Sequence, residues 1–394
     1  MRRKIAVVTT SRADYGHLYW PIRDLASHPD VALTVIALGP HLSPEFGHTA
    51  GEIERDALPI DERIECLLSS DTDIGMAKTI GVATLGLADT LGRLRPDLLL
   101  VIADRFEMLA PASTALALRI PLVHIEGGEI SEGAIDDAVR NALTKLSHVH
   151  LTTTEQARRR VLAMGEEAWR VHRVGAPSLD HLRRSRLLSQ VDLEAMLSLD
   201  LSTPPILVAF HPLTIARDSL REAPALYEAL AQLEDPLVFC YPNADAGSRA
   251  LIQQTQAFCA EHPRARVIVN LGHVVYWSLL RCASAVVGNS SSGIMETPSL
   301  GVPAVNVGLR QKGRERAANI VDVAPDAGEI LAALRRVLAP GFRSSLGEVI
   351  NPYGDGHASE RIVRILTTIA LGEELLVKRP VPLDDGGCYR EASS

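Results

Sequence analysis

The sequence predicts an α/β protein built from two parallel-sheet halves, and three observations carry the prediction. Short β-branched runs alternate with amphipathic stretches along nearly the whole chain. The alternation comes as two successive series, separated by a Gly/Pro turn and a charged segment. With 394 residues, 46% of them hydrophobic, two domains is the natural count.

In the first series Lys4 to Thr9, Val31 to Leu38, Asp97 to Ala103, Pro121 to Ile125 and His148 to Thr153 read as strands, with helical patterns at Met76 to Leu94 and Ala134 to Leu146. Val174-Gly175-Ala176-Pro177 then breaks the pattern, and a charged helical segment runs to about Asp200 before Ser202-Thr203-Pro204-Pro205. The second series places strands at Ile206 to Phe210, Leu237 to Tyr241, Val267 to Asn270, Ala283 to Val287 and Ala304 to Val307, with a helix over Gly247 to Glu261. The expected domains are therefore 1–175 and 176–356. Residues 378–394, polar and Gly/Pro-bearing, read as a loose tail.

Several function classes are disfavoured at this stage. No apolar run approaches the ~20 residues of a membrane span. Cys66, Cys240, Cys259, Cys282 and Cys388 are scattered and odd in number, without a C-x-x-C pair, which argues against a disulfide framework and a thiolate zinc site. That cysteine pattern leads us to expect a reducing cytoplasm, and Met1-Arg2-Arg3-Lys4, leading straight into a strand rather than a signal-type apolar region, reads as no signal peptide. A net charge of −8 disfavours sequence-independent nucleic-acid binding. There is no G-x-G-x-x-G after the first strand, no G-x-x-x-x-G-K-[ST] and no H-E-x-x-H, so neither a dinucleotide cofactor nor a metal is expected.

In parallel α/β sheets ligands bind beyond the carboxyl ends of the strands, and there the sequence concentrates its polar residues. Strand ends carry Ser11-Arg12-Ala13-Asp14-Tyr15-Gly16, Asp104-Arg105-Phe106-Glu107, His124-Ile125-Glu126-Gly127-Gly128-Glu129, His211-Pro212 and Tyr241-Pro242-Asn243-Ala244-Asp245. The most informative is Gly288-Asn289-Ser290-Ser291-Ser292-Gly293-Ile294-Met295-Glu296, where a strand enters a serine-rich turn opening a helix. Free N–H groups of a first helical turn, serine hydroxyls and the helix dipole together bind anionic oxygens, so this turn reads as a phosphate seat. Glu296, about one and a half turns on, is placed for a ribose or uracil-type partner. His17, His124, His211 and His273 are candidates for hydrogen bonding or acid–base work.

These motifs, with Asp136-Asp137-Ala138-Val139-Arg140 and Asn351-Pro352-Tyr353-Gly354-Asp355-Gly356, resemble the hydrolysing UDP-N-acetylglucosamine 2-epimerases, in order from about residue 4 to about 370. S-R-A-D-Y-G and G-N-S-S-S-G-I-M-E favour the hydrolysing branch over relatives carrying G-T-R-P-E and D-S-G-G-x-x-E. The resemblance implies a GT-B architecture, two Rossmann-like domains facing a cleft, with a C-terminal helix at about 357–377 crossing back to the first domain. It implies catalytic roles for Asp104, Glu126 and Asp136, with His211 as a further acid–base or phosphate-contact group, Arg140 pairing with Asp136, and His124 orienting the cluster. Arg12, Asp14, Arg105, Asn243, Ser290, Ser291, Ser292, Glu296 and Arg310 are the implied UDP-sugar contacts, with Arg12 and Arg310 on opposite sides of the diphosphate. After Arg140 the family commonly has His, whereas this chain has Asn141.

The implied reaction is UDP-N-acetylglucosamine plus water giving N-acetylmannosamine plus UDP, in nonulosonic acid biosynthesis, with no cofactor and with self-association as a homodimer or homotetramer. The same reaction on a UDP-2,4-diacetamido-trideoxyhexose of the legionaminic acid route is an alternative. A GT-B glycosyltransferase and a non-catalytic sugar-nucleotide sensor are two more.

Overall fold

A computed structural model describes residues 2–68 and 70–380; Cys388 and most of the expected tail lie outside the described residues. Seven parallel strands form the first sheet: β1 (Arg3–Thr9), β2 (Val31–Leu38), β3 (Glu62–Ile64), β4 (Leu98–Ile102), β5 (Leu122–Ile125), β6 (Val149–Thr152) and β7 (Val171–Arg173). Six more form the second: β8 (Ile206–Ala209), β9 (Leu237–Cys240), β10 (Ala265–Ile268), β11 (Ala285–Gly288), β12 (Ala304–Val307) and β13 (Ile320–Val323). The spatial orders are β3-β2-β1-β4-β5-β6-β7 and β10-β9-β8-β11-β12-β13. Each sheet therefore reverses direction once, between β1 and β4 and between β8 and β11, and opens a ligand crevice there. The two-domain α/β architecture is the GT-B one.

The strands are apolar on both faces because helices cover both. β4 is buried at every position, Leu98 to Ile102, which gives a continuous hydrophobic run rather than an alternating one. β3, β7 and β13 were not anticipated: two have only three residues, and Ile320-Val321-Asp322-Val323 at the sheet edge is partly exposed. The strand expected at Val267 to Asn270 begins earlier, at Ala265, which pairs with Leu237. Val269 and Asn270 are left as cleft-edge loop.

Ala176, Leu179, Leu193 and Leu201 join the core of the second half around Leu207, Trp277 and Tyr353. The chain then returns. The helix Ala358–Thr368 buries Ile362 and Leu366 in the core of the first half, against the helix Arg12–Ser27. It is shorter than the helix expected over 357–377: a turn at Gly372, with a backbone only glycine adopts readily, separates it from the single turn Glu373–Leu376. Lys378 is held rather than loose. Its ammonium donates to the carbonyls of Lys145 and Ser147 at 2.8 Å and lies 2.7 Å from Glu166.

The halves meet closely around the cleft. Arg12 Nη1 donates to the Val269 carbonyl at 3.1 Å, the Gly247 N–H donates to Asp71 at 2.9 Å, and the Glu132 N–H reaches the Lys312 carbonyl at 3.3 Å.

Candidate active site

The two crevices face each other across a cleft of about 1440 Å³, including the solvent at its mouth. From the first half, Ser11 caps the helix Arg12–Ser27 by accepting from the Asp14 N–H at 3.3 Å. Asp14 in turn accepts from the Thr10 N–H at 3.1 Å and from the Thr10 hydroxyl. Asp14 lines the cleft, but one carboxylate oxygen is already used in fixing this turn.

At the ends of β4 and β5, Ala103 (φ 57°) and Glu126 (φ 69°) occupy the left-handed region, where a non-glycine residue costs ~1–2 kcal/mol. His124 pins the first of these turns. Its Nε2–H donates to the Ala103 carbonyl at 2.8 Å, and burial holds its pKa down at about 4, so the ring is neutral with Nε2 protonated. His124 does not line the cleft. Its contact is with the turn that presents Asp104.

Asp104, Glu126 and Asp136 all line the cleft. Arg140 does not pair with Asp136. It lies on the buried face of the helix Asp136–Leu146, points back toward β4 and donates to Asp104, to Ser131 at 3.0 Å, to the Glu129 carbonyl at 2.9 Å and to Asp137 at 3.3 Å. Asp136, opening that helix, instead receives Arg310 Nη2 from the second half at 3.1 Å. Asn141 is exposed and donates to Asp137 at 3.3 Å, so the change from the family's His does not enter the cleft.

The three carboxylates are driven apart electrostatically. Burial would raise Asp104, but Arg140, Arg314 and Arg310 hold it below its usual range. Burial would raise Glu126 too; the charge of His17 and a hydrogen bond from it hold it down. Burial and the neighbouring Asp104 charge lift Asp136 to about 6 against the pull of Arg310. Two carboxylates held low beside one raised to about 6 differ in basicity, which is what a cluster needs to hold both a base and an acid.

The second half brings the serine turn to the facing wall, but the N–H groups expected to be free there are largely engaged: Ser290 donates to the Ala209 carbonyl at 3.2 Å, Gly293 to the Ser290 carbonyl at 3.2 Å and Ile294 to the Ser291 carbonyl at 2.9 Å, which leaves hydroxyls and arginines as the polar groups facing the cleft. Gly288 (φ 139°) lets β11 pass the Ala209 carbonyl, where a Cβ would lie 2.1 Å from the oxygen. Asn289 ties the turn to β8, accepting from the His211 N–H at 2.7 Å and donating to the His211 carbonyl at 2.9 Å. The helix after the serine turn is a single turn, Ser292–Met295, and Glu296 stands at its junction with Thr297–Leu300. The Ser292 hydroxyl donates to Glu296, and Tyr276 bonds the same hydroxyl. Ser290, Ser291, Asn243 and His211 line the cleft with Arg12, Arg105 and Arg310. Burial, reinforced by Arg310, Arg105 and Arg12, holds His211 well below its usual pKa, as a neutral hydrogen-bonding group. Arg105 is fixed across the seam, donating to Glu107 at 2.9 Å and to Asp245 at 3.4 Å. Among the described residues no group of three or more His, Cys, Asp or Glu side chains is arranged to hold a metal, and no helix is long and apolar enough to cross a membrane.

Three cleft residues escaped the sequence reading of roles. Arg314, four residues past Arg310 on the same loop, sits 3.8 Å from Glu129 and charges the Asp104–Glu126 corner. Gln311 donates to the Asn289 carbonyl at 3.0 Å. Tyr276 lies on a helix whose apolar pattern hides its hydroxyl. Position after β12 was the available signal for the first two.

A sequence model of the UDP-N-acetylglucosamine 2-epimerase family matches residues 23–367. The chain is 38% identical over 324 residues to the hydrolysing GDP/UDP-N,N'-diacetylbacillosamine 2-epimerase of Campylobacter jejuni, covering 82% of this chain and 84% of that one. It is 35% identical over 380 residues to the hydrolysing UDP-N,N'-diacetylbacillosamine 2-epimerase of Legionella pneumophila, covering 96% and 99%. Its fold is similar to that of the Neisseria meningitidis UDP-GlcNAc 2-epimerase crystallised with UDP-GlcNAc, with a TM-score of 0.77, 18% identity, and coverage of 93% and 100%.

Proposed function

The chain belongs to the UDP-N-acetylglucosamine 2-epimerase family, in its hydrolysing branch, and from that premise we propose that it acts on a UDP-2,4-diacetamido-trideoxyhexose. The products are the free 2-epimer and UDP. The observation supporting this chemistry is the pairing, across one cleft, of three carboxylates of unequal basicity, Glu126 buried and Asp104 and Asp136 part-buried, with arginines and serines on the facing wall.

The C2 hydrogen has no adjacent carbonyl and is weakly acidic, so it leaves only as the C1–O bond breaks. In our reading Arg12, Arg310 and the serine turn take up the charge developing on the departing diphosphate. An ionised carboxylate, Glu126 or Asp104, accepts the C2 proton, UDP departs with the C1–O electron pair, and a 2-acetamidoglycal forms. Water then adds at C1 while C2 takes a proton from the opposite face. Asp136, with its raised pKa and a charged neighbour in Asp104, suits the protonated partner. Glu296 serves the ribose, and Asn243, Arg105 and His211 the remaining nucleotide and phosphate contacts.

The diacetamido sugar is favoured by the activities of the two relatives above. UDP-N-acetylglucosamine is the second reading, favoured by the ligand of the Neisseria structure. UDP release measured with both sugars, and with a GDP-linked diacetamido sugar, tests the choice. A kcat/KM at least tenfold higher for the UDP-diacetamido sugar is expected; equal values, or preference for UDP-N-acetylglucosamine, would reverse it.

A further inference from the structure

His17 bridges the two halves inside the cleft. From the second turn of the helix Arg12–Ser27 it donates through Nδ1 to Glu126 Oε1 at 2.6 Å, and its Nε2 lies 3.8 Å from Glu296 Oε1. Glu126 follows β5 in the first half, whereas Glu296 follows the helical turn Ser292–Met295 of the second. We propose that His17 is a positioning residue whose fixed positive charge keeps Glu126 ionised and couples that ionisation, through Glu296, to the nucleotide seat. The role of Glu126 in this inference rests on the proposed reaction.

The charges around the imidazole favour this. It faces Glu126, Glu296 and, from its own helix, Asp14; His181, the neighbouring base, is held neutral chiefly by burial, at about 3. Burial disfavours the charged ring, but Glu126, then Glu296 and Asp14, outweigh it and raise His17 to about 9. Glu126 itself also faces Arg314, which lowers its pKa, and Asp104, which raises it. With Oε1 committed to His17, Oε2 is left for the sugar. A nucleotide ribose engaging Glu296 would alter the second contact of the same imidazole, which is how occupancy of the seat reaches the base.

Two experiments test the role separately from the reaction. In His17→Gln, kcat should fall about 100-fold with KM changed little, and the acid limb of kcat should move up by about one pH unit as Glu126 loses its cation. His17→Lys, which restores a charge, should recover much of the rate. A rate loss with an unmoved acid limb and no recovery by lysine, in variants with unchanged melting temperatures, would overturn the proposal. Nitrogen-15 NMR of the imidazole should show His17 titrating near 9 and dropping by about one unit or more in Glu126→Gln. An unchanged titration overturns the pairing whatever the substrate. A His17 titration near 9 in a protein inactive on every UDP-sugar would defeat the proposed reaction instead.

Discussion

Gly133 marks the place where the backbones of the two halves touch, and a single methyl group there should open the active site. A Cβ at Gly133 would lie 2.7 Å from Arg310 Cα, from Arg310 N and from the Leu309 carbonyl carbon. None of these atoms is the end of a flexible side chain, so one loop must retreat. Ordinary contact begins near 3.4 Å, a parting of about 0.7 Å. Arg310 hangs from the displaced backbone, and its 3.1 Å bond to Asp136 would stretch to roughly 3.8 Å, beyond hydrogen-bond range. Misplacement by ~1 Å costs on the order of 100-fold in rate, so kcat/KM should fall about 10- to 100-fold in Gly133→Ala. Gly133 has no left-handed backbone to strain, so the fold should persist, with a melting temperature lowered by no more than about 4 °C. Steady-state UDP release and calorimetric UDP titration provide the assay. Unchanged kcat/KM and unchanged UDP affinity in the folded variant would refute the claim that the seam sets the position of Arg310.

Other consequences follow from the same contacts. In Asp104→Asn, loss of one repelling charge should lower the Asp136 pKa from about 6, a shift readable by carbon-13 NMR of the carboxyl. Tyr276→Phe removes the hydroxyl behind Ser292 and should weaken UDP binding about fivefold by calorimetry, the equivalent of ~1 kcal/mol. Glu166, buried against Lys145, Lys378 and His150, has its pKa lowered to about 2 by hydrogen bonds from all three against the opposing effect of burial. Its folded pKa lies below the unfolded value, so its stabilisation is complete above pH ~4.5 and disappears as pH falls through about 2. Glu166→Gln should cost about 2 kcal/mol at neutral pH and flatten the fall of melting temperature between those limits.

Much of this molecule is legible from sequence because parallel strands buried on both faces leave unmistakable runs such as Leu98-Leu99-Leu100-Val101-Ile102. Clefts open beyond their carboxyl ends, so the cleft-lining Asp104, Glu126 and serine turn are found by position alone. Partnership is harder to read. Arg140 and Asp136 are four residues apart and suggest a local pair, yet the helix buries Arg140 toward Asp104 while Arg310, 174 residues away, takes Asp136. His17 stands only as one of four candidate histidines and Arg314 carries no motif signal, because their contacts are to carboxylates on elements remote in sequence. Asn141 drew attention as a departure from pattern, but it faces solvent. The short edge strands β3 and β7 were lost because three residues cannot display a period.

Elimination and hydration at a carboxylate cluster are tested most directly by following the reaction in D2O by proton NMR, with the UDP-diacetamido sugar and with UDP-N-acetylglucosamine. Released UDP together with a free 2-epimer carrying deuterium at C2 is the predicted result. A free sugar that retains its C2 proton and its original configuration would mean simple hydrolysis, and would contradict the account.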